Sequence, residues 1–161
     1  MTRETVKSSF DFPAVWINEG KVRVLVPKLE AFVEKPGDYA PSKAPVFYNP
    51  VMEMNRDFAV IALQVYQKEA GRGLHVCEPL AGCGVRGIRF AVEVEGVERV
   101  ILNDINPKAF KLIKFNVKEN RLEDKVIVQN VDANFLLSSY AAPKKRFDYI
   151  DIDPFGSPAP Y

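Results

Sequence analysis

LHVCEPLAGCGVRGIRF, residues 74–90, decides how this chain folds. It opens as a short apolar run, residues 74–79, that closes on a carboxylate, Glu78, and a proline. Gly82-Cys83-Gly84-Val85-Arg86-Gly87 follows in the spacing GxGxxG, and the pattern turns helical through Arg89 and Phe90. A strand that runs through such a loop into a helix lets backbone approach a nucleotide closely. The glycines permit the tight turn and the packing of helix on strand. The spacing alone is a weak signal. Asp104 strengthens it, because it ends the next apolar run where a carboxylate can hold a ribose diol.

Toward the C-terminus the alternation continues. VILND at 100–104 reads as the second strand, and Asn106-Pro107 as a helix N-cap with a first-turn proline. That helix is predicted to run to about Glu119, with Phe110, Ile113 and Val117 on its apolar face. VIVQNVD at 126–132 is the third strand, residues 133–139 a short helix, and FDYIDIDPFG at 147–156 the fourth strand, ending in a loop. Strands alternating with helices imply an α/β, Rossmann-like fold: a mostly parallel sheet with crossover helices. Ligands bind such sheets beyond the carboxyl ends of the strands, near the switch point. The unusual polar residues of this sequence stand at those ends.

Residues 1–72 read as a small N-terminal β/helix extension, and residues 73–161 as the first half of the cofactor-binding domain. KVRVLVP at 21–27 alternates at period two and predicts a half-exposed strand. Residues 38–50, rich in proline, predict an extended loop. Asn49-Pro50 starts a helix, and Gly71 stops it. Val51, Met54, Phe58, Ile61 and Val65 recur along it at helical spacing, which predicts a core-facing stripe.

The 161 residues suit one domain, and 47% hydrophobic and 27% charged residues are ordinary for a globular protein. The 22 basic and 21 acidic residues nearly cancel, so the chain shows no overall basic excess for nucleic acid. Cys77 and Cys83 are too few for a zinc site, so no metal is expected. There is no signal-peptide pattern and no apolar run of membrane-spanning length, and a cytoplasmic location is the expectation.

Charge separates the two cofactors that share this framework. A nicotinamide dinucleotide sets a pyrophosphate on the loop, whereas S-adenosylmethionine sets a sulfonium and an ammonium there. Glu78 repels the first and attracts the second. Asp132-Ala133, at the end of strand three, lies where an adenine amine can be received, and Asp132 also suits a helix N-cap. Asp153-Pro154-Phe155 ends strand four. It offers an acceptor for an exocyclic amine, a rigid turn with an available carbonyl, and a ring to stack on a base. Asp151 shares a face with Asp153 and has two readings: an ion-pair partner, or a group reaching the cofactor.

Together these stretches resemble the tRNA (guanine-26-N2)-dimethyltransferase family. DIDPFGSPAPY at 151–161 carries the resemblance most specifically. FYNPVMEMNRD (47–57), EPLAGCGVRGIR (78–89), NDINPKA (103–109) and EGKVRVLVP (19–27) follow the family's order. The resemblance implies a class I methyltransferase fold and transfer of one or two methyl groups from S-adenosylmethionine to N2 of a tRNA guanosine at position 26. It implies cofactor contacts at Arg56, Arg86, Asp104, Asp132 and Ala133, which join Glu78, Gly82 and Gly84 of the first strand and its glycine loop, and a target-base motif at Asp153 and Phe155, with Pro154 between them. It also implies that the chain is the N-terminal part of a longer protein, with its sheet cut after the fourth strand. The alternatives are a class I methyltransferase acting on another amine (adenine or protein), a nicotinamide-dependent oxidoreductase, and an inactive cofactor- or RNA-binding piece.

Overall fold

The computed structural model describes residues 5–6, 10–35, 40–143 and 145–161. Two sheets form among them. The first is antiparallel, ordered β1-β2-β3, from β1 (Thr5–Val6), β2 (Ala14–Glu19) and β3 (Val22–Pro27). The second is parallel, ordered β6-β5-β4-β7, from β4 (Leu74–Glu78), β5 (Val97–Asn103), β6 (Val126–Gln129) and β7 (Tyr149–Ile150). Helices α1 (Glu53–Ala70), α2 (Val85–Glu93), α3 (Pro107–Glu119) and α4 (Ala133–Ser139) join the strands.

Alternation along β5 splits the core into two faces. Val100 and Leu102 face α2 and α3, where Ile88, Phe90, Leu112 and Ile113 are buried. Ile101 faces the other way and packs with Cys77 and with Leu136 of α4. The first of these cores also contains Ala14, Val15, Val24 and Leu25, so the N-terminal hairpin shares its interior with the parallel sheet. β4 and β5 step one way across that sheet while β7 joins β4 on its far side. The order therefore reverses between β4 and β7, and a crevice opens past their carboxyl ends.

The strand–helix alternation is present as read, with shorter strands. β6 stops at Gln129, three residues before Asp132, and β7 holds only Tyr149 and Ile150, although the Asp151 N–H still donates to the Cys77 carbonyl at 2.9 Å. Asn106 caps α3, its side chain accepting from the Lys108 N–H, and α3 ends at Glu119. Ile113 and Val117 are buried while Phe110 is half-buried.

Two readings of the N-terminal region need correction. The 21–27 strand is not half-exposed: within β3 only Arg23 reaches solvent. Its outer edge meets α3, where Asn116 and Asn120 take the place of another strand. Asn116 accepts from the Leu25 N–H at 2.8 Å and donates to its carbonyl at 3.0 Å, and Asn120 does the same for Arg23 at 3.3 and 2.8 Å. Asn49 and Pro50 do start a helix, as a 3-10 turn over Pro50–Met52 that leads into α1, with Gly71 at its end (φ +63°). The stripe on α1, however, faces outward. Val51, Met54, Phe58, Ile61 and Val65 are 53–75% exposed, and Arg56 and Leu63 are the buried residues of the helix. Periodicity marks an amphipathic helix without saying which layer it meets. Here α1 turns Arg56 inward to the Glu19 ion pair and Leu63 into the hydrophobic core. Residues 38 and 39 of the proline-rich loop lie outside the described residues. The rest holds a 3-10 turn, Pro41–Lys43, and then extends to Asn49.

Candidate active site

The glycine loop builds the floor of the crevice. Gly82 (φ +55°) passes so close to the 47–49 segment that a Cβ there would lie 2.8 Å from the Phe47 carbonyl oxygen. Gly84 (φ +80°) is the N-cap of α2. Gly87 lies against β5, where a Cβ would meet Leu102 Cδ2 at 2.1 Å. Turn, entry and helix–strand contact thus each fall to one of the three glycines.

Asp104 ties this floor to the next loop. Its Oδ2 accepts from the Gly82 N–H at 2.8 Å and its Oδ1 from the Asn106 N–H at 2.9 Å. Burial raises its pKa against those two donors, which lower it. Asn103, just before it, is fully buried and joins three segments, donating to the Pro79 and Val131 carbonyls and accepting from the Val131 N–H. Asn116 reaches in from α3 to the Cys83 carbonyl at 3.0 Å. Beside Asp104, two amides thus hold the loop, Asn103 and Asn116, and nothing in the sequence marks them among the other asparagines.

Glu78 is not a solvated strand-end charge. It is 5% exposed, and its Oε2 accepts from the Gly87 N–H at 2.9 Å. Burial, reinforced by repulsion from Asp151, lifts its pKa to about 8, although Arg86 and the Gly87 N–H pull the other way. Burial likewise pushes the Cys77 and Cys83 thiols up to about 12, so neither is a thiolate nucleophile.

Arg86, from the first turn of α2, is buried and joins the carboxylates. Its Nη2 donates to Asp153 Oδ2 at 2.7 Å and to Asn55 Oδ1 at 2.8 Å, and its Nε lies 3.4 Å from Asp151 Oδ1. Of the two readings of Asp151, the ion pair is the one found; burial raises the pKa of its carboxyl and Arg86 opposes that. Arg56, 4% exposed on α1, faces the same narrow cleft, which Glu78, Arg86 and Asp153 also line.

A cavity of about 610 Å³ adjoins the cleft, lined among others by Gly82, Asp104, Asp153, Pro154 and Phe155. Phe47 completes its wall, standing edge-to-face with Phe155 at 4.8 Å between centroids. Phe47 lies within the 47–57 motif, but an aromatic in a proline-rich loop carries no signal until the loop is folded. Asp132 and Ala133 line neither pocket. Asp132 caps α4, accepting from the Phe135 N–H at 3.0 Å. Among the described residues no group of three or more His, Cys, Asp or Glu could hold a metal ion, and no helix is long and apolar enough to cross a membrane.

A switch-point crevice with a glycine loop, a strand-two carboxylate and a buried acid beneath them defines the class. Solved structures share this architecture: a SAM-dependent methyltransferase from Agrobacterium tumefaciens aligns over 92% of this chain with a TM-score of 0.63 at 19% identity, a likeness of fold. The fold is that of the class I S-adenosylmethionine-dependent methyltransferases. Residues 20–161 match the family model described as N2,N2-dimethylguanosine tRNA methyltransferase, and the chain belongs to that family. A tRNA (guanine(26)-N(2))-dimethyltransferase of Sulfolobus acidocaldarius is 46% identical over 147 residues, 91% of this chain and 36% of the relative. A Pyrococcus horikoshii Trm1, solved in complex with S-adenosyl-L-methionine, aligns with a TM-score of 0.69 and 34% identity over 89% of this chain and 36% of its own. The chain thus spans about a third of the length of these relatives.

Proposed function

We propose that this chain supplies the cofactor site and the base-receiving loop of a tRNA (guanine-N2)-methyltransferase. The activity transfers one or two methyl groups from S-adenosyl-L-methionine to N2 of a guanosine, at position 26 of tRNA. The observation that carries it is the Asp153-Pro154-Phe155 loop, whose carboxylate is anchored by Arg86 at the mouth of a cavity walled by two aromatic rings.

The donor set fits the cofactor. Glu78, kept uncharged by burial at neutral pH, gains a reason to ionise beside an ammonium and none beside a pyrophosphate. Asp104 has oxygen lone pairs left after its two backbone bonds for a ribose diol, and Gly82 and Gly84 allow close approach. Arg56 and Arg86 suit the methionine carboxylate as buried cations at the cleft, each through its Nη1, because their Nε and Nη2 groups are engaged by Glu19 and by Asp151, Asp153 and Asn55. Asp132 and Ala133 remain candidates for the adenine, with the capping role of Asp132 compatible. When bound, S-adenosyl-L-methionine supplies a methyl group on a sulfonium sulfur.

The exposed face of Phe155 would stack on a planar base, with Phe47 standing edge-on against the Phe155 ring as its support. Asp153 and the Pro154 carbonyl would accept the two N–H bonds of its amine, drawing the lone pair out of conjugation with the ring. Asp153 can then take the proton the amine sheds after methylation. Positioning and fixed charge carry such a step.

The test is mass spectrometry of nucleosides from unmodified tRNA incubated with the full-length protein and S-adenosyl-L-methionine, beside an Asp153→Ala control. N2-methylguanosine or its dimethyl form, lost in the control, supports the proposal. Methyl groups found only on adenine or on protein would sink it in favour of another amine substrate.

A further inference from the structure

Glu19 ends β2 at a hairpin turn, a position that normally leaves a carboxylate in water, yet it is 2% exposed. Four donors converge on it. Oε1 accepts from Arg56 Nε at 2.6 Å and Arg89 Nη1 at 3.2 Å; Oε2 accepts from Arg56 Nη2 at 2.6 Å and the Tyr48 hydroxyl at 3.4 Å. The turn itself is pressed on α2. Gly20 (φ +53°) leaves so little room that a Cβ would lie 2.2 Å from Glu93 Oε1 and 2.7 Å from Arg89 Nε. Arg89 is held in turn by Glu93 at 2.8 Å and Asp57 at 2.6 Å. The hairpin therefore delivers one carboxylate into the seam between α1 and α2.

A buried carboxylate is costly unless it is well paired. Here the pairing is a fork on a fork, which fixes the plane of the guanidinium as well as its place. The residue so fixed, Arg56, lines the cleft with Glu78, Arg86 and Asp153. We infer that Glu19 is a positioning residue of the cofactor site: it holds the Arg56 guanidinium against the cleft, so that the N-terminal hairpin and the glycine loop form a single site. This rests on the assignment of Arg56 to the cofactor under the proposed function. A carboxylate that merely neutralised Arg56 and Arg89 would lower stability without a selective loss of affinity.

The test is calorimetric titration of S-adenosylhomocysteine into the full-length protein as wild type, Glu19→Gln, Arg56→Lys and the double variant, with thermal melting of each. Glu19→Gln and Arg56→Lys should each weaken binding about tenfold, and the double variant should bind no more weakly than Arg56→Lys alone. Losses that multiply, or wild-type affinity in Glu19→Gln, overturn the inference. If Glu19→Gln fails to fold, the wild type decides: the Arg56 Nε–H resonance should resist solvent exchange and move on saturation with the ligand, and an unmoved resonance overturns the inference. A wild type that binds no S-adenosyl compound refutes the proposed function first, and the positioning role with it.

Discussion

The cradle around the glycine loop and the loop after β7 face each other across one cavity and are built in opposite ways. The cradle is buried and over-determined: Glu78, Asn103, Asp104 and Asn116 each hold two or more segments or a backbone N–H beneath it. The β7 loop is open. Phe155 is 74% exposed, and the Asp153 side chain is anchored by a single ion pair to Arg86. Under the proposed function, these two constructions suit a cofactor that is gripped and a base that enters and leaves. The difference also separates the expected effects of mutation: the cradle should fail in stability and affinity, the loop in turnover.

The sharpest contrast should come from Asp153→Ala in the full-length protein. We expect kcat to fall about 100- to 1000-fold, with cofactor affinity near wild type and the melting temperature shifted by less than about 2 °C. A large drop in melting temperature would erase the distinction between the two regions. Gly87→Val should do the reverse. Its side chain would collide with Leu102 and with Glu78 Oε2, 2.8 Å from an added Cβ, at a cost of about 2–3 kcal/mol by chemical denaturation.

Glu78 sharpens the comparison through pH. Its pKa is about 8 in the fold against 4.5 for the free group. The folded state thus binds the proton more tightly, and this contribution is full below pH 4.5 and lost as pH rises through 8. Glu78→Gln keeps an acceptor for the Gly87 N–H and removes the titration. Its stability relative to wild type should climb across that window by about 2–4 kcal/mol and be flat below it. A flat difference throughout would mean that Glu78 is not held in its neutral form.

The smallest effect belongs to α1. Phe58→Gln, on the outward stripe, should change the stability of the 161-residue chain by less than about 0.5 kcal/mol. Leu63→Ala, on the fully buried side, should cost about 2–4 kcal/mol. Equal losses would mean that the stripe is covered.

Much of the parallel-sheet half was legible because its signals are local. A strand, a glycine loop and a helix follow in order, and residues that end strands point into the crevice by topology alone. Glu78, Gly82, Asp104 and Asp153 could therefore be chosen before any contact was known. The N-terminal half resisted. Periodicity along α1 gives the right helix and the wrong face, and alternation along 21–27 predicts a half-exposed strand although all of β3 but Arg23 is buried and two asparagines from α3 close its edge. Glu19 and Phe47 were each one residue in an unremarkable setting, made significant by partners in α1, α2 and the β7 loop.

By itself the sequence determined the alternation of strands and helices, the place of the switch point and the chemical types gathered there, because periodicity, glycine and capping residues act over a few positions. The tertiary structure decided which side of α1 is buried, which amides carry the loop, that Glu78 is held neutral, and that a hairpin carboxylate grips Arg56. Those depend on burial and on charges brought together from segments some seventy residues apart, and a chain read in order does not contain that distance.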